Sequence, residues 1–249
     1  MKQLAVIGGT GLEQLSGLEI VASHPVETPF GATSRPVEEG RLVGQTVYFL
    51  HRHGAPGAIP PHKVNYRANV WALKSLGVTD IVAINAVGGI SAGMHPGTLV
   101  IPDQLIDYTW GREHTFDDGA SGELQHIDFT EPYDRPLRLA ILESASGARL
   151  NHAESGVYGV TQGPRLETAA EIQRMARDGC DVVGMTGMPE ASLARELGLA
   201  YASICMVVNA AAGLDDTPLS LDMMREILQQ EAAVVGILLQ GLLGSYYRG

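Results

Sequence analysis

Hydrophobic positions along the chain fall into two rhythms. Short β-branched runs recur as LAVIGG, TVYFL, DIVAINAVGG, GTLVIPD, DVVGM and YASICMVVN. Each is bounded by Gly, Pro or Asn, which predicts strands buried in a sheet. Between several of them the spacing turns helical. HKVNYRANVWALKSLG sets Val64, Ala68, Trp71 and Ala72 on one face and stops at Gly77. TAAEIQRMARDG opens with Thr168 and Glu171 in capping-box spacing and ends at Gly179. PEASLARELG starts a helix at Pro189 and stops it at Gly198. The segment from Ser220 to Leu243 reads as one long helix, with Gly236 and Gly241 as candidate breaks. This alternation predicts an α/β fold, a mixed sheet with helices on both sides.

Composition narrows the picture. The 249 residues carry no Pro/Ser-rich linker, charge run or repeat, so residues 1–249 are expected to form a single domain. A formal net charge of -11 argues against nucleic acid or an anionic membrane as partner, since both demand clustered Lys and Arg. A small anionic substrate needs only a few local donors and stays open. Cys180 and Cys205 lack any Cys-x-x-Cys spacing and read as buried small hydrophobes in a reducing compartment. The N-terminus reaches glycines after four apolar residues, too few for a signal-peptide core. The late run AAVVGILLQGLLG is too short for a bilayer span and is interrupted by Gln240. The expected location is the cytoplasm.

In α/β folds ligands gather where strands end, and four glycine-bearing strand ends stand out. VIGGTGLEQL misses the dinucleotide-binding spacing, because its third glycine would fall on Gln14. It leaves a turn with free N–H groups and the Thr10 hydroxyl, suited to an oxyanion; a plain tight turn explains it equally. FLHRHG ends a strand in Arg52 and His53. His51 and His53 suggest a metal, but no third ligand stands at a familiar spacing. An anion site built on the Arg52 fork and a surface ion pair are the remaining readings. VAINAVGG ends in Asn85-Ala86 and Gly88-Gly89, which either admits a ligand to the backbone or marks a bulge. GMTGM offers Thr186 as a donor to an anion and Met185 against something flat, or as core filler.

The order of GGTGL, RHG, HKVNYRANVWALK, NAVGG, GPRLET, GMTGMPEASLARELG and YASICMVVN resembles the trimeric purine nucleoside phosphorylases, nearest their 5'-methylthioadenosine phosphorylase branch. The resemblance implies a purine nucleoside phosphorylase-like mixed sheet, a homotrimer, and reversible phosphorolysis of a nucleoside to free base and sugar 1-phosphate. Inorganic phosphate is then a co-substrate, and neither metal nor organic cofactor is implied. Thr10, Arg52, His53, Ala86 (through its backbone) and Thr186 match the family's phosphate cradle, and Met185 the residue at the ribose hydroxyls. Asn85, Ala210 and Ala211 fall on segments matching its substrate pocket. His126 matches a residue that nearby members contribute across the trimer interface. His53, Glu167 and Asn209 are the residues expected to carry the chemistry.

Specificity is where the chain departs from its branch. Adenine-specific members read the base with an Asp-x-Asp pair after the YASI strand; here Asn209 and Ala211 stand instead. The 6-oxopurine branch pairs an Asn with a Glu in G-P-x-x-E-T, and GPRLET supplies Glu167. A carboxylate accepts from the N1–H that hypoxanthine has and adenine lacks. Inosine-cleaving members place a His near the 5'-hydroxyl, whereas the matching position here is Leu221, which suits a methylthio group or ordinary helix core. Together these imply 5'-methylthioinosine as substrate, with methylthioadenosine or inosine/guanosine phosphorolysis as alternatives. A nicotinamide dehydrogenase fails on glycine spacing, and a non-catalytic nucleoside binder leaves the phosphate cradle unexplained.

Overall fold

The computed structural model describes residues 2–9, 15–54, 59–120, 126–215 and 221–247. In chain order they form β1 (Leu4–Gly8), β2 (Glu19–His24), β3 (Val37–Leu42), β4 (Gln45–His51), α1 (Tyr66–Ser75), β5 (Asp80–Gly89), β6 (Leu99–Val100), β7 (Gln104–Asp107), α2 (Arg135–Gly147), β8 (His152–Ala153), β9 (Val157–Val160), α3 (Ala169–Asp178), β10 (Val182–Gly184), α4 (Gly187–Glu196), β11 (Ala200–Ala210) and α5 (Leu221–Ser245). The strands make one mixed sheet in the order β2-β3-β4-β1-β5-β10-β9-β7, with β11 beside β5 and β6, and β8 beside β6.

All six apolar runs are strands because the sheet is covered on both faces, so each pleat direction meets a helix. Ala5 and Ile7 of β1, with Ile81 and Ala83 of β5, pack toward α1 and α4. Leu4, Val6, Val82 and Ile84 pack toward α2 and α5. β5 is the hub: it pairs parallel with β11 along its length and with β1 over Asp80–Ala83, and antiparallel with β10 at Gly88–Gly89.

Helix ends follow the sequence closely. Thr168 and Glu171 form the reciprocal capping box of α3, and Gly179 closes it at φ 93°. Within α4, Met188 is extended (φ -116°, ψ 139°), so the helix proper begins at Pro189. The buried stripe of α1 differs from the expected one. Tyr66, Asn69, Val70 and Leu73 face inward beside Ala68 and Ala72, and Trp71 is only half-buried.

α5 runs unbroken through Gly236 and Gly241, against the expected break. Both glycines serve close approach instead: a Cβ at 241 would lie 2.4 Å from Ser144 Oγ of α2. By length and composition Ile227–Ser245 could cross a membrane, contrary to the shorter run counted above. Its apolar stripe, Val235, Leu238, Leu239 and Leu242, is instead fully buried against the sheet and α2.

Gly241→Ala tests this contact. Helix propensity favours Ala by about 1 kcal/mol. Ser144 Oγ donates to Leu238 O at 2.7 Å and can yield only by losing that bond. The substitution should therefore lower Tm in the wild type and raise it in a Ser144→Ala background. A rise in both would mean the α2–α5 contact has slack.

Candidate active site

A cavity of about 340 Å³ opens beside the last residues of β5 and β11, against the antiparallel β10. Its lining joins residues from all four glycine-bearing strand ends: Gly9; Arg52 and His53; Ala86 to Gly88; and Val183 to Thr186. Glu167, Asn209, Ala211 and Ala212 close another side, with Ile59, Pro60, Pro61, Pro164, Leu166 and Leu228 as apolar wall. The size suits a small organic ligand.

Arg52 is fully buried and is held by a carboxylate that sequence reasoning missed. Its Nε and Nη2 donate to the two oxygens of Glu190 at 2.5 and 3.0 Å, and Nη1 donates to Ile84 O at 2.9 Å. Gly9 makes the approach possible, since a Cβ there would stand 2.8 Å from Nη1. Glu190, on the first turn of α4, is itself 0% exposed and also accepts from Tyr201 Oη at 3.1 Å. Burial alone would lower the arginine pKa; the Glu190 charge and hydrogen bonds outweigh it and keep Arg52 charged. Three of its five N–H groups are thus spent and two are left over, on a side chain that borders the cavity while having no solvent exposure. A Glu on the inward side of a helix was the available signal, because a buried Glu is almost always paired.

His53 Nδ1–H donates to Ile59 O at 2.8 Å, so Nε2 presents a lone pair. Burial first, then the Arg52 charge, hold its pKa below the usual value. His51 turns elsewhere, 3.2 Å from Glu38, so the two histidines do not converge.

The remaining strand ends are set by local backbone chemistry. Thr186 Oγ1 donates to Asn85 Oδ1 at 2.8 Å, and Asn85 Nδ2 donates on to Ser203. Asn85 is 1% exposed and does not reach the cavity; strand alternation sends Ala86 there and Asn85 behind it. A bulge between Val207 and Asn209 shifts the β5–β11 register and turns Asn209 to the cavity. Asn209 Nδ2 donates to Ala210 O at 2.6 Å, fixing the amide, while the Ala210 side chain lies off the lining. Gly184 and Gly187 leave room for the buried Tyr158 side chain: an added Cβ would meet its Oη at 2.6 Å from Gly184 and its ring at 2.7 Å from Gly187.

Arg112, another residue the sequence did not flag, ties the two walls together. Its guanidinium donates to the carbonyls of Thr161, Gln162, Met185 and Met188 at 3.1, 2.8, 2.9 and 2.5 Å. Glu167 faces both this cavity and an adjoining one of about 520 Å³ lined by Tyr108, Trp110, Arg165 and Arg174. His126 is exposed and does not line the cavity within one chain. Thr10 lies outside the described residues, as does the side chain of Leu221, whose backbone opens α5.

Residues 3–244 match the phosphorylase superfamily. The chain is similar to a Xanthomonas campestris protein named "Probable S-methyl-5'-thioinosine phosphorylase", 51% identical over 99% of this chain and 97% of that one. A Thermococcus kodakarensis protein named "Probable 6-oxopurine nucleoside phosphorylase" is 42% identical over 96% of this chain and 91% of its own. Among solved structures, methylthioadenosine phosphorylase from Schistosoma mansoni in complex with adenine superposes with a TM-score of 0.94 at 32% identity, covering 100% of this chain and 93% of that one.

Two measurements probe the geometry. Glu190→Leu should cost about 3–5 kcal/mol in urea unfolding, because it strands a buried guanidinium. Adding Arg52→Met should recover part of that loss; strictly additive costs would show that the two charges do not depend on each other. For His53 the unfolded chain takes up a proton as pH falls through about 6.5 while the folded chain resists it, so stability declines toward acid pH. His53→Gln should therefore flatten the fall in Tm between about pH 7.5 and 5.5; an unchanged slope would assign it to other groups.

Proposed function

The chain belongs to the phosphorylase superfamily, and on that footing we propose that it cleaves S-methyl-5'-thioinosine with phosphate, giving hypoxanthine and 5-methylthioribose 1-phosphate. The observation that carries this is the convergence of Glu167 and Asn209 with Arg52, His53 and Thr186 on one cavity. The relative named "Probable S-methyl-5'-thioinosine phosphorylase" at 51% identity supports it.

In this reading the two N–H groups of Arg52 not used by Glu190 and Ile84, together with the Ala86 backbone, hold phosphate. Thr186 joins them by turning its hydroxyl proton from Asn85 Oδ1 to the anion, with Thr10 as a further donor. A phosphate oxygen bonds to C1′ as the C1′–N9 bond breaks and its electron pair passes to the purine. Phosphate held at C1′ and a base receiving charge are the features to be stabilised at the transition state. Glu190 offsets the Arg52 charge, so Arg52 acts chiefly as an oriented pair of donors. Glu167 accepts from N1–H of hypoxanthine. Asn209 offers its remaining N–H to O6 and its carbonyl to a protonated N7. Met185 meets the ribose, and Leu221 with Leu228 gives the methylthio group an apolar end. His53 Nε2, a lone pair at the cavity, accepts from a phosphate hydroxyl. The reaction calls on no cofactor. We further propose a cytoplasmic homotrimer in which His126 of one copy completes the pocket of the next.

The test is base release from a panel crossing hypoxanthine and adenine with 5'-methylthio and 5'-hydroxyl, with and without phosphate. S-methyl-5'-thioinosine should show the highest kcat/KM, and release should require phosphate. Arg52→Ala should raise the phosphate KM and lower turnover. Glu167→Gln should shrink the hypoxanthine preference, since an amide can donate to adenine N1. Equal cleavage of methylthioadenosine by the wild type would overturn the assigned base readers.

A further inference from the structure

Thr161 follows directly on β9, with its hydroxyl 2.6 Å from Glu167 Oε1. It does not line the cavity at the strand ends; it borders the adjoining one, behind Glu167. A threonine hydroxyl has one proton to give, and two acceptors stand near it. Gly184 O is 3.2 Å away, but it already accepts from the Thr161 backbone N–H at 2.8 Å. The hydroxyl proton therefore goes to the carboxylate, whose need is greater and whose distance is shorter. The backbone of the residue is held on both sides. Its N–H is tied to β10 through Gly184, and its carbonyl accepts from Arg112 at 3.1 Å. A β-branched side chain on a fixed backbone has few rotamers open to it.

We propose that Thr161 is a positioning residue that holds Glu167 as a pure acceptor and so sets the choice between 6-oxo and 6-amino purines. This rests on the reading of Glu167 as the group that meets purine N1. With Oε1 anchored, Oε2 is left for the ligand. Hypoxanthine brings N1–H to it. Adenine brings only a lone pair, and could be held only by a carboxyl that carried a proton and donated it. The Thr161 hydrogen bond occupies Oε1 and fixes the aim of the carboxylate, so the N1 lone pair of adenine meets an acceptor and not a donor. Without it Glu167 is free to rotate toward the adjoining cavity, where Arg165 stands, and its aim at the base is lost. The penalty against adenine then falls along with the gain for hypoxanthine.

The experiment measures kcat/KM for S-methyl-5'-thioinosine and S-methyl-5'-thioadenosine at saturating phosphate in wild type, Thr161→Val, Thr161→Ser and Glu167→Gln. Val keeps the shape and removes the proton; Ser keeps the proton. Thr161→Val should compress the hypoxanthine-to-adenine ratio about tenfold or more, the scale of one hydrogen bond to a charged group. Its phosphate KM should be unchanged, and Thr161→Ser should restore the ratio. Equal losses on both substrates in Thr161→Val, or a Ser variant of wild-type Tm that fails to restore the ratio, would overturn the proposal. If Glu167→Gln compresses the ratio and Thr161→Val does not, this inference alone fails. If Glu167→Gln leaves the ratio intact, the base-reading role of Glu167 fails, and the inference with it.

Discussion

The site depends on one buried ion pair. Arg52 and Glu190 are both without solvent exposure, and neither charge could remain there alone. Removing each from water costs several kcal/mol, which only close, well-directed partners offset. The pair joins the turn after β4 to the first turn of α4, 138 residues away. Nη1 reaches the Ile84 carbonyl of β5 between them. Strand, hub and helix are therefore locked in one relative placement, and the cavity lies where they meet. Tyr201 of β11 adds a fourth element to the same carboxylate.

Around that anchor the polar groups are arranged in relays rather than as isolated contacts. Thr186 donates a hydrogen bond to Asn85, and Asn85 donates one to Ser203. Thr161 serves Glu167, while Arg112 gathers four backbone carbonyls from both walls. Side chains that reach the cavity are thus held from behind by others that do not. Such preorganisation suits chemistry in which donors must already be in place when charge develops.

Legibility in the sequence followed sequence separation and burial. β1, β4, β5, β10 and β11 were readable because covering both faces makes a strand uniformly apolar. β2, exposed along most of its length, and the short β7 and β8 carry no such run. α2 begins at an Asp134 cap followed by Pro136, a start signal that went unread. Arg52, His53 and Thr186 were visible as polar groups at strand ends, while Glu167 and Asn209 stood out only through the family resemblance. Glu190, Thr161 and Arg112 were not, because their meaning lies in partners that the fold brings together. Asn85 fell on the wrong side of the strand by the parity of the pleat, one residue from Ala86.

The space beneath GMTGM also has an evolutionary reading. The Tyr158 ring fills the room left by the missing side chains of Gly184 and Gly187, and its hydroxyl lies 3.4 Å from the Thr186 backbone N–H. These three positions form a single unit of inheritance. A methyl group collides with the Tyr158 hydroxyl from position 184 and with its ring from position 187, while a smaller residue at 158 leaves a void under the Thr186 turn. Sequences can drift here only by compensated steps, so position 158 should covary with 184 and 187.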